Sequence, residues 1–136
     1  MKNYLLVGLA GAIGSFVRFT VGTFVHGGWS YSFPLGTFLI NLTGCFALGF
    51  VTTFLFHTKK LQPSTAAALG TGLIGSFTTF STFSVETVIL MRQAEWMMAL
   101  TYMFSSMVGG LFLAWAGYKS GQILVGSQKS EIKEGE

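Results

Sequence analysis

The chain has 136 residues, 51% hydrophobic and only 10% charged, with a formal net charge of +3 and a mean hydropathy of +0.60. A soluble domain carries about 25% charged residues, so there are too few polar side chains here to cover a soluble fold, and a single-domain integral membrane protein remains. The basic residues stand singly between apolar runs, which points to membrane topology rather than to a nucleic acid partner.

A membrane-spanning helix needs about 20 mainly apolar residues. Four segments qualify, and all are too long and too continuous for barrel strands of about 9–11 alternating residues. The first is 4–24, YLLVGLAGAIGSFVRFTVGTF. It stays apolar past the usual length of a leader, so it is expected to be a span. Gly8, Gly11, Gly14 and Ser15 let a neighbouring helix approach closely. Arg18 has two readings: a side chain snorkelling to the interface, or a cation at the mouth of an anion path.

The second segment is 33–56, with Pro34 near its start, where a missing N–H costs little. Thr37 and Asn41 are four residues apart and share a face. An amide at mid-membrane needs partners. Asn41 is either glue between helices or a donor aimed into a pore. Cys45, the only cysteine, reads as a small buried hydrophobe.

The third segment is 66–90, preceded by Pro63. Six of the nine residues from Ser76 to Ser84 carry hydroxyls, and the other three are Phe77, Phe80 and Phe83. The hydroxyls cover every face rather than one stripe. Gly70, Gly72 and Gly75 come just before them, so helix propensity and apolarity fall together. The pattern predicts a helix broken at mid-membrane, which is tolerated only inside protein or along an aqueous cavity. Freed carbonyls at such a break can hold a cation. Aromatic ring edges are positive, and with hydroxyl donors they make a neutral lining that tolerates an anion. Glu86 follows the break and is expected to cap it or to pair with Arg18, ahead of any role in proton transport.

The fourth segment is 96–118, with Tyr102, Ser105, Ser106, Gly109 and Gly110 on a small, polar face. That face is a second lining strip or a packing face. The polar tail 119–136 is expected to be frayed or a loose amphipathic turn. The whole is an all-α integral membrane protein of one four-helix domain, 1–136. An even number of spans puts both ends on one side. Lys2, Lys59, Lys60 and Lys119 lie there, with Lys129 and Lys133 further out, against Arg92 in a loop on the other side, so both termini are expected in the cytoplasm of a cell-membrane protein.

An enzyme is not indicated. The chain has no aspartate, and no nucleotide-binding GxxxxGK[ST] occurs. His26 and His57 sit far apart at span ends, without metal-ligand spacing.

Together GSFTTFSTFS with its following Glu, GTFLINLTGCFALGF, and GLAGAIGSFVRF resemble the Fluc (CrcB-like) fluoride channels over all four spans. The resemblance implies an antiparallel dimer with two pores, passive exit of fluoride, and a central sodium ion held by backbone carbonyls. Those carbonyls fall on Gly75 and Thr78. The pore phenylalanines fall on Phe80 and Phe83, and the pore asparagine on Asn41. Thr37, Ser81 and Thr82 fall along the polar path. Tyr102 and Ser106 match with a less anchored register, and Gly110 stands where some relatives carry a polar residue. Single-gene members need near-balanced loop charge to insert both ways. The bias here favours a fixed orientation and an inverted paralogue as partner, against a homodimer. Two other classes stand as alternatives. A small proton-coupled exporter wants a carboxylate in the first span, which has none. A non-transporting subunit would leave the break in the third span without a purpose.

Overall fold

The computed structural model describes residues 2–29, 31–58 and 62–134, and the side chains of these residues other than 2, 56–58 and 127–134. Lys59 and Lys60, and the side chains of Lys2, His57, Lys129 and Lys133, lie outside the described residues. In order the elements are α1 (Lys2–Gly28), α2 (Leu35–Thr58), α3 (Pro63–Ala67), π1 (Ala68–Ile74), α4 (Gly75–Phe77), α5 (Phe80–Arg92) and α6 (Trp96–Glu134). The described residues contain four helical stretches long and apolar enough to cross a membrane: Asn3–Gly28, Leu35–Leu55, Pro63–Arg92 and Trp96–Gly126. The protein is a multi-pass membrane protein, with the helical segments from α3 to α5 making up the third span.

Most hydroxyls on these helices are spent locally. Thr20 donates to the Phe16 carbonyl, Thr43 to Leu39, Thr101 to Met97 and Ser120 to Ala116, each four residues back. A hydroxyl satisfied by its own helix can face lipid without an orphaned group. Hydroxyls that do not bond backwards are therefore the informative ones.

Close backbone contact joins the helices in pairs. α2 and α6 meet along Gly49, Gly117 and Gly121. A Cβ at Gly117 would run into the Phe46 carbonyl, and one at Gly49 into the Ala114 carbonyl. α1 lies as closely on π1, where a Cβ at Gly14 would run into the Leu73 carbonyl. Lipid is as apolar as a leucine side chain, so association rests on packing of this kind rather than on a hydrophobic drive.

The third span is broken, as the glycine and hydroxyl pattern predicts. It begins with Pro63 in the first turn, widens into the π-helical segment from Ala68 to Ile74, and tightens again for Gly75–Phe77. Thr78 and Thr79 are then extended, with φ/ψ of −80/157° and −146/120°. At Phe80 the helix resumes.

The tail differs from expectation. α6 does not stop at 118 but continues to Glu134, 39 residues in all, or roughly 58 Å at 1.5 Å per residue. Nothing in 119–126 breaks it. Gly121 sits against Thr53 and Phe50 of α2, and the Gln122 amide donates to the Tyr118 hydroxyl one turn back at 2.7 Å. The packing face thus outlasts the apolar run.

Candidate functional site: the break in the third span

A break of two extended residues leaves backbone groups without helical partners. Asn41 of α2 supplies two of the missing bonds. Its Nδ2 donates to the Thr79 carbonyl at 3.0 Å, and its Oδ1 accepts the Thr79 N–H at 2.8 Å. One side chain thus replaces a donor and an acceptor of the lost helix. The glue reading of Asn41 holds for this pair of bonds, and the second N–H of the amide remains for another partner.

Thr79 then caps α5. Its Oγ1 accepts the Thr82 N–H at 3.2 Å, as an N-cap threonine does. The same oxygen lies 3.2 Å from Ser81 Oγ and 3.0 Å from Thr82 Oγ1. None of these three hydroxyls bonds back to its own helix, in contrast to Thr78, Ser84 and Thr87 nearby.

The break also exposes oxygen. Among the described residues no backbone N–H reaches the Gly75 or Thr78 carbonyl, because the Thr79 N–H is turned to Asn41 and the Thr82 N–H to Thr79. The Gly75 carbonyl receives only a long contact from Thr78 Oγ1, 3.5 Å. Neutral carbonyl oxygens of this kind suit a hard monovalent cation.

Two cavities flank the break. The first, about 640 Å³, opens where the α1–α2 and α5–α6 connections lie, and its walls include Arg18, His26, Thr37, Thr82 and Glu86. The second, about 450 Å³, lies deeper, and its walls include Asn41, Thr78, Phe80, Phe83 and Ser106. Gly75 also lines the second. Among the described residues Thr79 alone stands in both walls.

The two phenylalanines differ. Phe80 is 79% exposed, whereas Phe83 packs on Tyr102 with ring centroids 4.9 Å apart. Tyr102 itself lines neither cavity. It is fully buried in a cluster with Leu90 and Ala99, flanked by Phe33 and Phe38. Ser81 is exposed and stands in neither wall. Ser106 lines the second cavity, and its hydroxyl is buried without a hydrogen-bond partner.

Expected pairing of Glu86 with Arg18, or capping of the break by Glu86, does not occur. The Glu86 carboxylate accepts from Thr37 Oγ1 at 2.8 Å and from the Tyr102 hydroxyl at 2.9 Å. α2 and α6 bring those hydroxyls to its two oxygens, while Thr79 takes the capping position seven residues before the acid. Arg18 stays in the wall of the same cavity, with a buried Nε that has no partner.

Thr79 is the residue that the sequence reading passed over. Its signal was available: a threonine three residues before Thr82, at the point where apolar helix resumes, has N-cap spacing. Its tie to Asn41, 38 residues away, had no local signal.

A profile of the family described as "CrcB-like protein, Camphor Resistance (CrcB)" matches residues 5–118. The chain belongs to the CrcB-like family. Curated relatives bear channel names. "Fluoride-specific ion channel FluC 1" of Bacillus cereus is 44% identical over 133 residues, covering 98% of this chain and 95% of the relative. "Fluoride-specific ion channel FluC" of Oceanobacillus iheyensis is 45% identical over 119 residues, covering 88% and 91%. "Fluoride-specific ion channel FluC 1" of Moorella thermoacetica is 41% identical over 114 residues, covering 84% and 81%. The CrcB-like profile takes in all four spans and ends where the helical tail begins. The break, Asn41 and both cavities therefore lie inside the shared region.

Proposed function

We propose that this chain forms a fluoride-selective channel that lets fluoride leave the cytoplasm passively and so protects against fluoride toxicity. The observation that carries the reading is the 44% identity over nearly the whole chain to a protein named as a fluoride-specific ion channel. The chemistry of the broken span agrees with it. Fluoride is small and strongly hydrated. Its passage needs donors close enough to replace water, and binding weak enough to release it. Arg18 is set back at the mouth, where it can gather anions. The deeper wall is neutral, with the free N–H of Asn41, the Ser106 hydroxyl and the ring edges of Phe80 and Phe83. Thr82 supplies a hydroxyl on the mouth side; Thr37 stands beside it with its O–H given to Glu86, and Ser81 lies next to Thr82 outside the wall. Glu86 and Tyr102 hold Thr37 and Phe83 in place.

The active unit in this reading is an antiparallel dimer with two pores. Exposure of Phe80 and Gly75 at the break supports it, because a second copy is what would close that side of the deeper cavity. The Gly75 and Thr78 carbonyls of each copy would hold a sodium ion, which supplies positive charge to a neutral backbone site. Loop charge favours a fixed orientation and an inverted paralogue as the second subunit over a homodimer, with both termini in the cytoplasm.

Fluoride efflux from liposomes, read with a fluoride electrode, tests the reading. Wild-type chain, alone or with the paralogue, should release fluoride and retain chloride. Phe80→Ile and replacement of sodium by N-methylglucamine should each reduce the flux by about tenfold or more. No fluoride flux from either preparation would overturn the channel reading. Flux independent of sodium would remove the ion from it.

A further inference from the structure

The hydroxyl cluster at the start of α5 has a proton count that can be worked through. A hydroxyl offers one O–H and two lone pairs. One lone pair of Thr79 Oγ1 is taken by the Thr82 N–H. The oxygen has two further contacts, to Ser81 Oγ and to Thr82 Oγ1. With one lone pair left, Thr79 can accept from one of these hydroxyls while it donates to the other. The hydroxyl that receives Thr79's proton keeps its own proton free. With both contacts bonded the cluster carries one spare O–H, on Ser81 or on Thr82, and the direction of Thr79's O–H decides which.

The position of the cluster gives that choice a consequence. Thr82 stands in the wall of the mouth cavity, and Ser81 does not. Thr79 stands in both walls. Its backbone cannot shift freely, because Asn41 holds both its N–H and its carbonyl. What can turn is the hydroxyl proton.

We propose that Thr79 is a positioning residue of the anion path: its hydroxyl assigns the spare donor to Thr82 or to Ser81, and so offers a donor to the mouth cavity or withdraws it while the backbone stays fixed. This deepens the channel reading and rests on it. When Thr79 donates to Thr82, the Thr82 proton is free to meet an anion arriving in the mouth. When Thr79 turns to Ser81, the Thr82 proton is spent on Thr79 and the donor is withdrawn from the mouth. No bond to carbon forms or breaks, and no net charge is created.

A capping role alone is the competing explanation, and substitutions at Thr79 separate the two. Serine and asparagine are both good N-caps, but only serine has a hydroxyl proton that can turn between two neighbours. Valine keeps the β-branched shape and removes both functions. The experiment is fluoride efflux from liposomes holding wild type, Thr79→Ser, Thr79→Asn or Thr79→Val, each checked for folding by size-exclusion profile. Thr79→Ser should conduct within about threefold of wild type, and Thr79→Asn should fall by about tenfold or more although its helix is capped. Thr79→Val should fall with it. Equal conduction by Thr79→Asn and Thr79→Ser would overturn the proposal, as would unaltered flux in a folded Thr79→Val. Should the valine variant not fold, the serine and asparagine pair still decides. A silent wild type would remove the channel reading itself, a result distinct from a conducting wild type with indifferent variants.

Discussion

Asn41 shows how one side chain can stand in for the backbone at a break. Its amide reproduces a backbone pair for Thr79, one donor and one acceptor at hydrogen-bond distance. Asn41→Asp keeps the acceptor for the Thr79 N–H. It sets a carboxylate oxygen against the Thr79 carbonyl and places negative charge beside the second cavity. Loss of one partner in a buried pair costs about 1–3 kcal/mol. Fluoride flux should therefore fall by at least about tenfold, and the melting temperature in detergent should drop with it. Unaltered flux and stability would mean that the amide does not hold the break. The same logic makes sense of Glu86. Two neutral hydroxyls reach its oxygens from α2 and α6, and Arg18, in the wall of the same cavity, keeps a buried Nε without a partner.

At the scale of elements, the turn between α5 and α6 carries a local misfit. Ala94 has φ of 60°, in the left-handed region. Around it the Glu95 N–H reaches the Leu90 carbonyl and the Ala94 N–H reaches Met91, the bonding pattern of a helix end that favours glycine at this position. The left-handed conformation costs an L-residue roughly 1–2 kcal/mol. Ala94→Gly should relieve part of that, offset by the extra freedom glycine has in the unfolded chain. A net gain of up to about 1 kcal/mol is expected, read as a higher unfolding midpoint in detergent, with efflux unaltered. A lower midpoint would show that the alanine methyl packs usefully. The third span works oppositely. There two extended residues are stable because capping by Thr79 and pairing by Asn41 return most of what the break removes.

Considered whole, the molecule presents two problems that one chain does not solve. The deeper cavity is open on the side where Phe80 lies exposed, and the loop charges are uneven. Lysines crowd the side of the termini, while Arg92 stands nearly alone in the opposite loop, close to Glu95. The positive-inside rule then favours one orientation. Single-cysteine variants near the C-terminus, in a Cys45→Ser background, should be labelled by an impermeant thiol reagent from one side of the membrane only. Labelling from both sides would show dual insertion and make a homodimer the active unit. Gln93→Lys should weaken the one-sided pattern by adding charge to the opposite loop.

Much of this protein was legible in its residues. Four apolar runs of spanning length set the membrane class and the helix count, because lipid leaves few other backbone solutions. Glycines followed by dense hydroxyls marked the broken span, since both helix propensity and apolarity drop there. GSFTTFSTFS, with the motifs of the first two spans, carried the family. Local chemistry stopped short at the tail, where polar composition suggested fraying and Gly121 instead keeps α6 packed on α2. It also stopped short at Glu86, where charge alone favoured Arg18. Only the tertiary structure brought Thr37 and Tyr102 to that carboxylate, tied Asn41 to Thr79, and left Thr79 as the wall between two cavities. Periodicity and composition act between neighbours in sequence, whereas hydrogen-bond partners 38 and 49 residues apart are chosen by how helices pack. Sequence determined which polar groups enter the membrane, and packing decided which of them are spent on one another and which are left unpaired.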